Sequence, residues 1–319
     1  MTKILVSGCA GFIGSHLCER LLQEGNYVIG IDNLDPYYDV TVKHRNLDLL
    51  RQYGDNFTFI EECICETRAI TTHKPDIVIH LAAKAGVRAS LENPQQYAKV
   101  NILGFVHLLE ECRQAGVKRI IYASSSSVYG LNNTVPFSET DSIEKCNSPY
   151  AASKRAMEIY AQTYSQLYQL ETIGLRFFTV YGPRGRPDMA PYKFVKSIKE
   201  GKEIVQYGDG LSMRDYTYIS DIIDGITSVI RLETISQGSK FKVYNLGNSS
   251  PISLLEFIKA CETAVGGKAI VRIIENQQGD VPRTFADISL ATRELRYNPK
   301  VPLAEGLKSL VEYLKVNNC

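Results

Sequence analysis

Short apolar runs alternate along the chain with longer segments in which apolar side chains recur every three or four residues. The short runs are typical of strands buried on both faces, and the longer segments are typical of amphipathic helices. We predict strands at residues 4–6, 27–31, 57–60, 77–81, 119–123, 172–176 and 243–246, and helices at 12–23, 43–53, 94–115, 149–168 and 221–232. This alternation predicts an α/β fold built on a doubly wound parallel sheet.

The pattern loosens after residue 176, where a Gly- and Pro-rich segment at 182–187 interrupts it. The predicted elements beyond this point are shorter and are separated by prolines, which indicates a smaller C-terminal α/β lobe. Some later segments, including the predicted helix at 221–232, are expected to return to the first domain. The predicted division is 1–178 with a return segment at about 215–247 for the first domain, and 179–214 with 248–319 for the second.

Composition excludes several classes of function. The 319 residues include 36 basic and 35 acidic side chains, so there is no broad positive surface for nucleic acid or an anionic membrane. No apolar run approaches the ~20 residues that span a bilayer, and no signal-peptide pattern precedes the first strand. The eight cysteines lack the spacing of a metal site, which predicts reduced thiols in a cytoplasmic protein without a metal.

A G-x-x-G-x-x-G motif lies between the first predicted strand and the first predicted helix. Glycines let the backbone approach a pyrophosphate, and the helix N-terminus supplies N–H donors to it. Asp32 ends the second strand, where a carboxylate can bind the adenosine ribose and repel a 2′-phosphate, so a Rossmann-type site for NAD is predicted. The residues predicted to contact the cofactor here are Gly8, Gly11, Phe12, Ile13, Gly14 and Asp32.

A Tyr-x-x-x-Lys pair, Tyr150 and Lys154, begins the predicted helix at 149–168. The phenol of tyrosine has a pKa of about 10, and lowering it to near 7 requires about 4 kcal/mol of stabilisation. Lys154, one helical turn further on, supplies part of it as a cation, and a nicotinamide cation supplies more. Ser125, just after the strand at 119–123, can bond the same substrate hydroxyl. These three residues predict an acid/base site that oxidises an alcohol carbon.

These motifs resemble the extended short-chain dehydrogenase/reductase family, in its nucleotide-sugar epimerase/dehydratase branch, over essentially the whole chain. The matching segments are His80-Leu81-Ala82-Ala83, Asn101, Gly104, Met213-Arg214-Asp215-Tyr216 and Gly279-Asp280-Val281-Pro282. The resemblance implies a UDP-sugar substrate, with Arg214 and Asp280 on its diphosphate and uridine ribose. It also implies further cofactor contacts from Leu81, Ala82, Ala83, Asn101, Tyr150 and Lys154.

The run of serines at 124–127 restricts the type of reaction that the chain can be expected to catalyse. Sugar 4,6-dehydratases carry an Asp-Glu pair where this chain has Ser126 and Ser127, and UDP-glucuronate decarboxylases typically carry an acid at the position of Ser127. A 4-epimerase therefore needs the least additional chemistry. Segments 32–43, 133–139 and 176–189 are specifically similar to UDP-glucuronate 4-epimerases, which implies that Asn33 and Lys43 contact the cofactor.

Two further positions bear on the substrate. In UDP-galactose 4-epimerases Thr179 would normally be Asn and Gln277 would be Arg, so both favour an acidic sugar. UDP-glucose or UDP-N-acetylglucosamine 4-epimerisation and UDP-glucuronate decarboxylation remain the alternatives. A binding-only protein of the same fold is an alternative of another class, against which the intact Ser125, Tyr150 and Lys154 argue.

Neutral hydroxyls are suited to a sugar carboxylate, which needs several hydrogen bonds but not full neutralisation. Ser126, Ser127 and Thr179 are therefore predicted to bind it, while Arg88 and Arg186 are candidates for the carboxylate or the diphosphate. A 4-keto glucuronate is a β-keto acid, and holding its carboxylate out of alignment with the carbonyl would prevent loss of CO2.

Two other expectations concern the cofactor and the assembly. Cys63 lies where the family has an Asp that contacts adenine, which removes one contact of ~1 kcal/mol. The predicted helices at 94–115 and 149–168 carry more apolar surface than covering the sheet requires. We therefore predict a homodimer through these two helices.

Overall fold

The computed structural model describes residues 1–233, 238–275 and 279–317, and the chain divides into two units. The first unit comprises 1–131, 142–176 and 226–244, and the second comprises 132–141, 177–225 and 245–319. These bounds differ from the predicted ones because segment 132–141 belongs to the second unit and the chain returns to the first at 226 rather than 215. The functions assigned to the two domains stay predictions.

Twelve strands and twelve α-helices are formed by the described residues. The strands are β1 (Lys3–Ser7), β2 (Tyr27–Ile31), β3 (Phe57–Ile60), β4 (Ile77–His80), β5 (Arg119–Ser125), β6 (Glu171–Phe177), β7 (Thr179–Tyr181), β8 (Glu203–Tyr207), β9 (Met213–Tyr218), β10 (Phe241–Leu246), β11 (Pro251–Ser253) and β12 (Ile270–Ile274). The helices are α1 (Phe12–Gln23), α2 (Val40–Arg51), α3 (Ala69–His73), α4 (Val87–Glu92), α5 (Pro94–Tyr97), α6 (Gly104–Ala115), α7 (Pro149–Tyr168), α8 (Ala190–Lys199), α9 (Ile219–Ile230), α10 (Leu254–Val265), α11 (Ser289–Leu295) and α12 (Leu303–Val316).

The main sheet has seven strands in the order β10-β6-β5-β4-β1-β2-β3. Strand β1 pairs in parallel with both β2 and β4, and at its end Ser7 lies opposite Ile31 on one side and His80 on the other. The strand order therefore reverses at β1, and ligands bind beyond the carboxyl ends of strands at such a point. The predicted α/β fold with a doubly wound parallel sheet is confirmed.

The core of the first unit fixes the position of α7 against this sheet. Val78 and Ile120 from the sheet belong to one buried cluster with Leu109 of α6 and with Met157 and Ala161 of α7. Because well-packed interiors tolerate little displacement, this cluster holds α7 in a defined register over β5.

The predicted single helix at 94–115 is wrong, because a π-helical segment, Ala98–Leu103, separates α5 from α6. Asn101 in this segment is fully buried, and its side chain accepts from Lys84 N at 2.8 Å and donates to Lys84 O at 2.9 Å. It also donates to Ser153 Oγ at 3.0 Å. π-helical turns are frequent at functional sites, and this one connects the chain after β4 to helix α7.

The second unit contains two small sheets, β11-β9-β7 and β12-β8. Val195 of α8, Phe257 of α10 and Leu310 of α12 pack in its core. Helix α10 begins at a capping box in which Ser253 and Glu256 bond each other's backbone N–H. Within the described residues, no helix combines the length and apolar character that crossing a bilayer requires.

Candidate active site

The glycine turn after β1 is packed too closely for side chains. Gly8 has φ +75°, and a Cβ there would lie 2.7 Å from Ala82 N, while a Cβ on Gly14 would collide with Gly8 O. Gly11 N donates to Gly8 O at 3.1 Å, which closes the turn. The turn, the start of α1 and the backbone after β4 therefore form one compact backbone surface.

Helix α1 begins on this surface without a side-chain cap at Gly11. The first backbone N–H groups of a helix have no partner inside the helix and lie at its positive end. Phe12, Ile13 and Gly14 supply these groups here. A pyrophosphate at this point would meet backbone donors with no side chain in the way, as a dinucleotide site requires.

Asp32, at the end of β2, is buried and bonded to three groups. Its Oδ1 accepts from Leu34 N at 2.9 Å and from Lys43 Nζ at 3.0 Å, and its Oδ2 accepts from Ala10 N at 3.2 Å. A carboxylate has about four acceptor positions, so capacity for a ribose hydroxyl remains. The sequence placed Asp32 and Lys43 in one site but did not predict their ion pair, and Asn33 beside them is exposed.

The residues after β4 form the next part of the site. Leu81 N donates to Ser7 O at 3.1 Å, and Ala82 N donates to Ser7 Oγ at 3.3 Å. Ser7 Oγ is also hydrogen-bonded to His80 Nδ1 at 2.8 Å. Burial lowers the pKa of His80 to about 3, so its imidazole is neutral. Leu81, Ala82 and Ala83 are half-buried, and their backbone is fixed by Ser7 and His80, whose roles sequence reasoning missed.

Tyr150 and Lys154 occupy the first turns of α7, whose N-cap Ser148 accepts from Ala151 N at 3.1 Å. Lys154 is buried, its Nζ donates to Ala123 O at 2.7 Å, and it lies 6.0 Å from the centre of the Tyr150 ring. The predicted pair therefore lies together, and Lys154 is bonded to the strand that ends at Ser125.

Burial lowers the pKa of Lys154 to about 7. The amine is therefore close to half protonated near neutral pH, instead of being a permanent cation. Its support for a Tyr150 phenolate declines as the pH rises above this value. The first turns of α7 thus place Tyr150 beside an amine that burial disfavours as a cation.

The serine run continues directly from β5. Ser125 is buried, and its Oγ accepts from Ser127 N at 3.1 Å, while Ser126–Tyr129 forms a 3-10 turn. Because a hydroxyl has one hydrogen to donate and two acceptor positions, Ser125 keeps its O–H for another partner. Ser126 and Ser127 are half-buried, and Arg88 on α4 is exposed.

The remaining predicted substrate residues lie in the second unit. Thr179 is half-buried at the start of β7, and Asp280 is exposed. Arg186 forms a two-point ion pair with Asp188, with its Nε at 3.0 Å from Oδ1 and its Nη2 at 2.6 Å from Oδ2. Arg214 Nη1 donates to Met213 O at 2.8 Å. Gln277 lies outside the described residues, and the roles of the others stay predictions.

Cys63, in place of the family's Asp, is half-buried after β3. In the described ranges, no three His, Cys, Asp or Glu side chains group closely enough to hold a metal ion.

The family model described as the NAD dependent epimerase/dehydratase family matches residues 4–247. The chain belongs to this family. The family membership predicted from the motifs is thereby confirmed.

Individual members of the epimerase/dehydratase family match the chain over its whole length. The UDP-glucuronate 4-epimerase of Thermodesulfobacterium geofontis is 42% identical over 322 residues, which cover 99% of this chain and 97% of that protein. The UDP-glucuronic acid 4-epimerase of Bacillus cereus, solved with UDP-glucuronic acid and NAD, has a TM-score of 0.92 at 36% identity and covers 99% of each chain. A UDP-glucose 4-epimerase of Thermotoga maritima, solved with UDP-glucose, has a TM-score of 0.89 at 33% identity, covering 99% of this chain and 100% of that one.

The buried amine of this family member predicts a pH-dependent effect of Lys154→Met on stability. The pKa of Lys154 is about 7 in the folded chain and about 10.4 in the unfolded chain. The cost of burying it is therefore full below pH 7 and is relieved as the pH rises towards 10. Relative to the wild type, the variant should lose unfolding free energy at up to ~1.36 kcal/mol per pH unit across this window.

Urea denaturation at several pH values between 7 and 10 measures this difference. Lys118→Met removes an exposed lysine of the same unit and should show a difference that is independent of pH. A constant difference for Lys154→Met as well would contradict the low pKa of Lys154.

Proposed function

We propose that the protein is an NAD-dependent UDP-glucuronate 4-epimerase that interconverts UDP-glucuronate and UDP-galacturonate through a 4-keto sugar. The observation that carries the proposal is the placement of Tyr150 and Lys154 one turn apart on α7, with Lys154 bonded to the strand that bears Ser125. The similarity to UDP-glucuronate 4-epimerases over the whole chain supports the choice of sugar.

The residues around β1 fit NAD. The side-chain-free turn at Gly8 and Gly14 and the uncapped start of α1 would hold the pyrophosphate, and Asp32 with Lys43 would hold the adenosine ribose. NAD, when bound, supplies the chemistry of accepting a hydride from the sugar carbon and returning it. Because each turnover restores the oxidised cofactor, NAD acts catalytically and is expected to stay bound.

The protein's own residues move the proton. Tyr150, as a phenolate, takes the proton of the C4 hydroxyl, and Ser125 donates a hydrogen bond to the same oxygen. Lys154 stabilises the phenolate, and its bond to Ala123 O holds the amine 6.0 Å from the centre of the Tyr150 ring. After the keto sugar has rotated in the site to present its other face, Tyr150 returns the proton to the C4 oxygen. Arg214 and Asp280 are proposed to hold the diphosphate and the uridine ribose while the sugar turns.

The sugar carboxylate is proposed to be held by neutral groups. Ser126, Ser127 and Thr179 each offer a hydroxyl, and Arg88, an exposed cation on α4, is a further candidate for the carboxylate. Arg186 already pairs with Asp188, so its charge is compensated before any substrate binds. Such a clamp would bind the carboxylate and keep its C5 bond out of line with the C4 carbonyl.

A second candidate function is 4-epimerisation of UDP-glucose or UDP-N-acetylglucosamine. The structural similarity to the UDP-glucose 4-epimerase of Thermotoga maritima supports the shared chemistry but leaves the sugar to experiment. UDP-glucuronate decarboxylation is the third candidate, and the neutral side chain of Ser127 argues against it.

The test incubates the purified protein with UDP-glucuronate and without added NAD, and follows the products by NMR. We expect UDP-galacturonate to appear. Turnover of UDP-glucose or UDP-N-acetylglucosamine alone would transfer the assignment to the second candidate, and a UDP-pentose would identify a decarboxylase.

Tyr150→Phe in the same assay should abolish turnover, because it removes the proton acceptor and leaves the ring and its packing on Tyr97 in place. The loss in kcat is expected to be about 10²–10⁴-fold, the usual contribution of general acid–base catalysis. UDP binding, measured by calorimetry, should change little. Activity like that of the wild type would contradict the mechanism.

Thr179→Ala should weaken the preference for UDP-glucuronate over UDP-glucose and release keto or pentose product. The reason is that one hydroxyl of the carboxylate clamp is lost, at a cost of about 1 kcal/mol or fivefold in relative kcat/KM. Product NMR and competition between the two substrates measure both effects. Unchanged preference together with unchanged product purity would refute the clamp.

We further propose a cytoplasmic homodimer that assembles through the π-helical segment, α6 and α7. Apolar side chains remain exposed on these elements. They are Leu103, Ile159, Tyr160, Leu167 and Tyr168. The described cysteines are free thiols, which suits a reducing compartment.

Tyr160→Glu combined with Leu167→Glu should dissociate the dimer, because it places two charges on one helical stripe of apolar surface. Analytical ultracentrifugation measures the change in mass. Leu211→Glu is the matched control, since Leu211 is an equally exposed leucine (63% against 65%) in the second unit. Retention of the wild-type mass by the double variant would exclude this interface.

A further inference from the structure

Glu158 is a fully buried carboxylate with no role in the proton chemistry above. It lies on α7 one turn after Lys154 and faces the same side of the helix. Its two oxygens accept four hydrogen bonds, from Arg176 Nε at 2.8 Å and Nη2 at 2.9 Å, from Ser124 Oγ at 2.7 Å and from Arg155 Nη1 at 3.0 Å. Burial alone would raise the pKa of Glu158, but the bonds from Arg176 keep it below its ordinary value.

Arg176, near the end of β6, extends this cluster to the serine run. Its third donor, Nη1, bonds Tyr129 OH at 3.0 Å, and its guanidinium lies 4.9 Å from the centre of the Tyr129 ring. Tyr129 is the last residue of the 3-10 turn that begins at Ser126. Each of the three guanidinium nitrogens therefore donates to a partner, and the planar fork fixes direction as well as distance.

The pair joins three elements that carry proposed active-site groups. Glu158 belongs to the helix of Tyr150 and Lys154, its partner Ser124 directly precedes Ser125, and Arg176 holds the turn of Ser126 and Ser127. The bond from Lys154 Nζ to Ala123 O lies next to the bond from Ser124 to Glu158. Two adjacent residues of β5 are thus tied to two successive turns of α7.

We propose that Glu158 and Arg176 are positioning residues. They fix where Lys154 and Ser125 lie relative to each other, and they fix the backbone conformation of the 126–129 turn. The inference rests on the proposed function for its kinetic consequence. Its structural content is independent of the substrate, because the pair acts on the geometry of three protein segments.

A second buried pair offers a matched comparison. Arg119 Nε donates to Glu171 Oε2 at 2.6 Å, and both side chains are buried. Arg119 begins β5 and Glu171 begins β6, so this pair lies on the same two strands at the end opposite to the serines. Loss of either pair removes a buried charge contact, whereas only the first pair contacts the helix of Tyr150 and Lys154 and the 126–129 turn.

The experiment compares Glu158→Gln with Glu171→Gln. The NH2 group of a glutamine at 158 would face donors whose hydrogen bonds the carboxylate accepts, and one of these donors is an N–H of Arg176. Because a donor cannot bond a donor, the cluster has to rearrange. Both variants should melt at a lower temperature. Glu158→Gln alone should lower kcat for UDP-glucuronate by about 10–100-fold, the scale of a misplacement of about 1 Å, with KM nearly unchanged.

Hydrogen–deuterium exchange provides a readout that needs no turnover. The backbone N–H groups of residues 126–130 include Ser127 N, bonded to Ser125 Oγ, and Gly130 N, bonded to Ser127 O. Their exchange should accelerate in Glu158→Gln and stay at the wild-type rate in Glu171→Gln. Equal kcat and equal exchange in the two folded variants would overturn the proposal.

Ser124→Ala decides the matter if Glu158→Gln does not fold, because it removes one hydroxyl and leaves the ion pair intact. It should lower kcat several-fold and accelerate exchange at 126–130, and wild-type values of both would overturn the proposal. If the wild type does not convert UDP-glucuronate, the proposed function fails, and the exchange rates alone then decide the positioning role.

Discussion

The proposed chemistry depends on one buried amine. Lys154 is only 2% exposed, and its burial favours the neutral form, whereas a cation is needed beside a Tyr150 phenolate. Its bond to Ala123 O replaces part of the lost hydration and fixes the amine at the end of β5. Because burial makes the charged form of Lys154 unfavourable, its surroundings have to hold the amine in place. The packing of α7 on the sheet is therefore as necessary to the proposed site as Tyr150.

Three kinds of contact hold α7. Met157 and Ala161 bury its apolar side in the core, Glu158 binds β5 and β6 through charged hydrogen bonds, and Asn101 reaches Ser153 from the π-helical segment. Apolar contacts supply free energy with little directional preference, while the polar contacts fix rotation and height. The same Asn101 fixes the backbone of Lys84, so the cofactor side and the acid/base side of the site are held in one frame.

Local patterns predicted much of this frame. The bounds of β2, β3, α1 and α7 agree with the sequence to the residue. The two strands are short apolar runs between polar residues, α1 follows a glycine, and α7 follows a capping serine and begins with a proline. The break at 98–103 was missed, since periodicity does not record tertiary hydrogen bonds such as those of Asn101 to Lys84 and Ser153. The glycine turn and the Tyr-Lys pair are local motifs and could be read directly. The ion pairs Asp32–Lys43 and Glu158–Arg176 join distant segments and could not.

Whether a 4-keto glucuronate is epimerised or decarboxylated depends on whether the site stabilises negative charge on the carboxylate or on the C4 oxygen. In the proposed cycle Ser125 and Tyr150 stabilise charge on the C4 oxygen, yet the same donors would also stabilise the enolate left by loss of CO2 from a 4-keto glucuronate. Hydrogen bonds to the carboxylate oppose this loss, because they are strongest in the ground state and weaken as charge leaves the carboxylate. In the proposed clamp, the neutral hydroxyls of Ser126, Ser127 and Thr179 would provide such bonds without acid or base groups that would promote elimination. A hydroxyl-lined carboxylate site therefore suits an enzyme that has to form a β-keto acid and return it intact.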